Sequence, residues 1–208
     1  MKHKVRPEEI LVITFTKYAA WQMKTRTRRI CRPSSYAVTF GTFHGIYYGI
    51  LKWAYRLNQS NLLSDEEKYR ILREILPGID WDQEPEADEE KDYLQELAIE
   101  IGNVKNNCMD IEEYEPVKYT TEKFRKLYRT YEETKKKYRK IDFEDMLIQC
   151  RDRFMKRPDI LKKWQEKFQY ILVDEFQDVN QAQYDVVRML AAPQDNLFVV
   201  GDDDQSVY

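Results

Sequence analysis

In this 208-residue chain, Tyr170 to Asp178 reads YILVDEFQD, an apolar run that ends in two adjacent carboxylates. A strand-end aspartate can hold a divalent cation, and a glutamate one residue further on can take a proton from an attacking water. Asp174 and Glu175 are therefore candidates for Mg²⁺ binding and general base catalysis in a nucleotide hydrolase. A buried strand must also end somewhere polar, and for the pair alone that plainer reading stands. The last residues, Phe198 to Tyr208, read FVVGDDDQSVY, so Asp202, Asp203 and Asp204 crowd behind a second apolar run. Three neighbouring acids repel one another unless a cation or hydrogen-bond donors neutralise them. Two short strands that deliver acids to one sheet edge make chance placement harder to defend.

The surrounding patterns supply the elements that would position these groups. Ile10 to Phe15 is an unbroken β-rich run followed by good helix formers from Ala19 to Arg29. Tyr36 to Phe40 predicts a second strand, ahead of helical spacing over Phe43 to Leu57. Ser64-Asp65-Glu66-Glu67 is a capping box that opens a helix to about Leu76, where Pro77-Gly78 stops it. Helices follow over Lys91 to Asn106 and Thr121 to Lys140. In the latter, Phe124, Leu127, Tyr128 and Tyr131 form a stripe at helical spacing that reads as core rather than as a stacking platform. Asp142 caps another helix, and Pro158 begins one more that ends near Phe168. The pattern then returns to strand, helix and strand at Tyr170 to Asp174, Gln181 to Leu190 and Leu197 to Val200. These are short apolar runs of the kind found in parallel sheets covered on both faces. A long helical stretch between two βα regions predicts an α/β fold whose parallel sheet is interrupted by a largely helical insertion.

In four ordered blocks the chain resembles the UvrD/Rep/PcrA group of superfamily 1 DNA helicases. LVDEFQD at 172–178 is similar to the group's second motif, and VGDDDQS at 200–206, followed by Tyr208, to its third. Ile13-Thr14-Phe15-Thr16 with Ala19-Ala20 and Met23-Lys24 resembles the TFTNKAAxEM segment, and Phe40-Gly41-Thr42-Phe43-His44-Gly45 the GTFH segment. The resemblance implies a partial RecA-like parallel sheet of the P-loop NTPase type, formed by residues 1–44 and 168–208, with 45–167 as a helical accessory domain. It implies ATP and Mg²⁺ as cofactors, with Asp174 ligating the metal, Glu175 as general base, and Gln177 and Asp178 in the adjoining network. Gln205 would sense the γ phosphate and couple it to DNA, with Asp202 and Asp203 near the metal and the domain interface. Phe15, Thr16, His44 and Tyr208 match positions along a single-strand groove, where stacking contributes about 1–3 kcal/mol per base. Phe15 also ends a buried strand, and His44 could equally serve as a cap. The implied partners are single-stranded DNA and duplex junctions, with 3′ to 5′ polarity. Lys17-Tyr18 replaces the group's usual Asn-Lys, Gln22 its Glu and Val179 a common Thr, so the catalytic half matches better than the DNA grip.

Composition sets outer limits. With 42% hydrophobic and 34% charged residues the chain can bury a core beneath a charged surface. No stretch is apolar for long enough to span a membrane and no signal-peptide core is present, which reads as cytoplasmic. Cys31, Cys108 and Cys150 form no CxxC and have only His3 and His44 as possible partners, which supports neither a zinc site nor a disulfide framework. A net charge of −3 would argue against a polyanion partner. The distribution argues the other way, because an acidic block from Asp80 to Glu100 masks basic blocks over Met1 to Arg32 and Lys118 to Lys140. Such a block can be only a solvated helix face; if 118–140 met duplex DNA, Lys135, Lys136 and Lys137 would be the residues to reverse.

None of the six glycines, at 41, 45, 49, 78, 102 and 201, opens a GxxxxGK[ST] loop. That loop's backbone N–H groups and Lys normally cradle the phosphates. The chain therefore reads as a fragment of a helicase, inactive by itself, whose parent couples ATP hydrolysis to movement on DNA. Two other classes stay open. A helicase-nuclease subunit shares the fold but usually departs from GDDDQS, which Asp202 to Ser206 retains. A non-catalytic nucleic-acid or protein-binding module could keep the scaffold after losing the nucleotide loop.

Overall fold

A computed structural model of the chain describes residues 5–31, 36–55, 59–79, 89–192 and 194–202. It divides into two compact units, Met1–Tyr55 with Gln149–Tyr208, and Arg56–Ile148. The boundaries implied by the resemblance, 44/45 and 167/168, fall at the start of α2 (Phe43–Tyr55) and the end of α7 (Pro158–Lys167).

The first unit is built on β1 (Ile10–Thr14), β2 (Thr39–Thr42), β3 (Tyr170–Val173) and β4 (Leu197–Val199). All are parallel, in the order β2-β1-β3-β4. Register pairs Ile13 with both Gly41 and Val173, and Val173 with Val199, so all four strands end at one edge. This is an α/β fold with a partial RecA-like sheet. β1 has a neighbour on each side, and Leu11, Ile13 and Thr14 are buried as its apolar run requires. β4 lies at the sheet's edge, and Phe198 and Val199 are exposed. Among the described residues β4 pairs with β3 alone, and the expectation that every run is covered on both faces is not met there.

Helices return the chain between strands. Thr16 caps α1 (Lys17–Ile30) by accepting from the Ala19 N–H at 3.0 Å, so the helix starts two residues before the sequence pattern suggests. In α2, Phe43, Tyr47, Ile50 and Leu51 form a fully buried stripe, and the Tyr47 hydroxyl donates to the Gln183 carbonyl at 2.9 Å. Asn180 and Gln183 form a reciprocal capping box at the start of α8 (Gln181–Ala191), whose Ala182, Val186, Val187 and Leu190 are buried. Tyr36, expected in a strand, lies in a short turn before β2.

The second unit packs α3 (Asp65–Ile75), α4 (Glu90–Asn106) and α5 (Thr121–Lys137) around Ile71, Leu72, Leu94, Leu97, Phe124 and Leu127. Ser64 and Glu67 form the capping box of α3. Asp142 and Asp145 do the same for α6 (Phe143–Lys156), each accepting from the other's backbone N–H, at 3.0 and 2.8 Å.

The unit's polar centre is a buried charge cluster. Lys105 Nζ lies 2.6 Å from Asp142, 2.8 Å from Asp145 and 2.7 Å from Glu132. Lys135 Nζ reaches the same three acids, and the Tyr131 hydroxyl donates to Asp142 at 3.2 Å. Lys135 is 1% exposed, which corrects its grouping with Lys136 and Lys137 as a DNA-facing residue: an ammonium held by three carboxylates is structural. Among the described residues no helix is long and apolar enough to cross a membrane.

Candidate active site

The carboxyl edge of the sheet gathers the chemistry. Asp174 directly follows β3, and its backbone N–H donates to the Ile13 carbonyl at 3.1 Å, which ties it to the end of β1. The next residue turns sharply: Glu175 has φ 53° and ψ 47°, in the left-handed region that a non-glycine residue enters only at a cost of about 1–3 kcal/mol. Surrounding bonds hold that turn. The Phe176 N–H donates to the Val200 carbonyl at 2.9 Å, and the Asp178 N–H donates to the Glu175 carbonyl at 3.0 Å. Asp174 is half-buried at the edge, while the Glu175 and Asp178 side chains are exposed.

Gln177 links this turn to the other acidic cluster. Its Nε2 donates to Glu175 Oε2 at 2.7 Å, and its Oε1 accepts from the Asp202 backbone N–H at 3.2 Å. The two backbones approach so closely that a Cβ on Gly201 would lie 2.8 Å from Gln177 Oε1 and 3.3 Å from the Gln177 nitrogen. Glycine is needed there for space, since no positive φ requires it. Asp203, Gln205 and Tyr208 lie outside the described residues.

The residues expected to grip DNA surround the ends of β1 and β2. Phe15 lies just past β1, its ring centroid 5.1 Å from that of Phe43. Thr16 is exposed and spends its hydroxyl on the α1 cap, while the buried Thr14 hydroxyl donates to the Thr16 carbonyl at 3.0 Å. His44 is half-buried in the first turn of α2. Thr42 caps that helix by accepting from the Gly45 N–H at 3.1 Å. The structure thus brings Asp174, Glu175, Gln177, Asp178 and Asp202 into one connected turn, with Phe15, Thr16 and His44 on the strands and helix alongside.

The profile of the UvrD/REP helicase N-terminal domain matches residues 1–208. The chain belongs to the UvrD/REP helicase family. It is 37% identical to the YjcD protein of Bacillus subtilis (strain 168), with 98% of this chain and 27% of that protein covered. The ATP-dependent DNA helicase PcrA of the same organism is 34% identical, over 100% of this chain and 28% of the relative. DNA helicase II of Escherichia coli (strain K12) is 31% identical, over 97% and 28%. The chain therefore spans a little over a quarter of the length of the curated relatives it matches.

Within this UvrD/REP helicase domain, sequence reasoning missed two features of the site. One is the left-handed backbone at Glu175, for which no residue type gives a signal. The other is the Gly201 contact, hinted at only by a glycine directly after an apolar strand. The donor set fits a hard divalent cation. Among the described residues Asp174 forms no ion pair, and Mg²⁺ typically takes one or two protein carboxylates, completing its shell with phosphate and water oxygens. The trio of half-buried Glu132 with buried Asp142 and Asp145 is the one three-ligand acidic group among the described residues, and the Lys105 and Lys135 ammoniums already occupy its centre.

Proposed function

We propose that the chain carries the hydrolytic edge of an ATP-dependent DNA helicase, a cytoplasmic motor that moves 3′ to 5′ on single-stranded DNA and opens duplex junctions. The observation that carries this reading is the Gln177 bridge, which makes Glu175 and the backbone of Asp202 parts of one structure. Asp174 is the residue that would hold Mg²⁺, and Mg-ATP, when bound, supplies the phosphoanhydride bond to be broken. Glu175 is exposed beyond the strand end, where it can orient a water and accept its proton, while Gln177 fixes one of its carboxylate oxygens. Asp203 and Gln205 continue the network by resemblance, and Phe15, Thr16, His44 and Tyr208 contact DNA.

The chain contains no GxxxxGK[ST] loop, so by itself it is expected not to turn over ATP. In a protein of the relatives' length that contains this chain, strand displacement on tailed duplexes tests the reading. ATP-dependent opening of a 3′-tailed duplex is expected. Opening of only the 5′-tailed duplex would contradict the polarity, and opening of neither would contradict the motor.

A further inference from the structure

We propose that the outer face of α1 is a second single-strand grip, on which bases stack against Tyr18 and Trp21 and phosphates meet Arg28. The inference rests on the DNA-binding reading above and extends it to residues outside the four motif blocks' matched positions. Helix α1 turns Ala20 into the core and leaves Met23 and Thr27 half-buried, while Tyr18, Trp21, Thr25 and Arg28 recur at i, i+3, i+7 and i+10 on the opposite side. That stripe runs about 15 Å from the carboxyl edge of the sheet. Tyr18 is 67% and Trp21 60% exposed, an unusual condition for two large aromatic side chains that touch each other, with ring centroids 5.9 Å apart and planes at 32°. At the far end the Arg28 guanidinium lies 4.6 Å from the centroid of the Tyr36 ring, which is also exposed.

Charge identifies the occupant. The helix carries Lys17, Lys24, Arg26, Arg28 and Arg29 and no acidic residue at all. Its first turn bears Lys17 where the helix dipole favours an acid, so the sequence accepts a local penalty to stay wholly basic. A protein partner with an apolar face would need the aromatics but not five cations unrelieved by any acid. A single-stranded polyanion with exposed bases uses both, because stacking tolerates any sequence and the cations offset the phosphates.

The test is fluorescence anisotropy of the full chain with an oligothymidylate of about 16 nucleotides and with an abasic deoxyribose-phosphate strand of the same length. Tyr18→Ala/Trp21→Ala is expected to weaken oligothymidylate binding by about 5-fold or more and to leave the abasic strand unaffected. Tyr18→Phe/Trp21→Phe should restore binding, because it keeps the rings. Arg28→Ala should weaken both strands and lower the salt slope by about one. A loss below about twofold in the double alanine variant, with wild type binding well, would overturn the grip and leave the DNA reading intact. Failure of wild type to bind either strand would overturn both.

Discussion

Gly201→Ala separates geometry from stability at the candidate site. The added methyl would sit 2.8 Å from Gln177 Oε1, roughly 0.6 Å inside ordinary contact, and 3.3 and 3.4 Å from the nitrogens of Gln177 and Phe176. The backbone cannot move without disturbing the Phe176 N–H bond to Val200, whereas the Gln177 amide is the far end of a flexible side chain and can swing away. Swinging breaks its bonds to Glu175 and Asp202. A neutral and a charge-assisted hydrogen bond together reach about 2–4 kcal/mol when buried, and solvent exposure here reduces the stability cost to about 1 kcal/mol. The functional cost is separate, because Glu175 loses its orienting partner. In a protein of the relatives' length, the variant is expected to unfold in urea close to wild type while its ATP turnover falls at least about tenfold. Gln177→Ala should reproduce that loss, and the double variant should be no worse than either, since both remove one bridge. Fully additive losses, or unchanged turnover in Gly201→Ala, would refute the bridge.

Three further outcomes test the surrounding structure. Lys135→Ala leaves Asp142 and Asp145 short of a counter-charge in a dry site and should cost about 3–5 kcal/mol in urea unfolding; a loss under about 1 kcal/mol would show that the cluster is solvated. Burial pushes the Asp142 carboxyl up, but the Lys105 and Lys135 ammoniums outweigh it and hold the group well below the ordinary carboxylate range. Its stabilisation is therefore complete above the unfolded value near 3.9 and is lost as pH falls through the lower folded value. The difference in urea midpoint between wild type and Asp142→Asn should be constant from about pH 5 to 9 and shrink below about pH 4. Glu175→Gly relieves a left-handed backbone, so it should stabilise the fold by up to about 1 kcal/mol while abolishing turnover, a pairing that a purely structural role for Glu175 would not produce.

What the sequence made legible was whatever rests on local pattern. The apolar runs of β1 and β3, the Ser64 and Asp142 caps and the core stripe of Phe124, Leu127 and Tyr131 all follow from periodicity or capping chemistry. Lys105 and Lys135 were illegible because their burial depends on acids from α5 and the start of α6, and in sequence Lys135 looks the same as the exposed Lys136 and Lys137 beside it. The candidate carboxylates could be named from their place at a strand end. Their connection to Gly201 and Asp202 could not, since it depends on β3 and β4 lying side by side in register. The basic charge of α1 was visible in composition, but only the helix's packing shows that Tyr18 and Trp21 face outward.

In the proposed motor Glu175 activates the water that cleaves ATP at this sheet edge. Single-turnover ATP hydrolysis by Glu175→Gln, in a protein of the relatives' length with saturating DNA and with nucleotide affinity measured in parallel, tests it most directly. Retained nucleotide binding with hydrolysis slowed about 10²- to 10⁴-fold is the expected result. Hydrolysis within about twofold of wild type would remove Glu175 from the chemistry and with it the assignment of this turn as the catalytic edge.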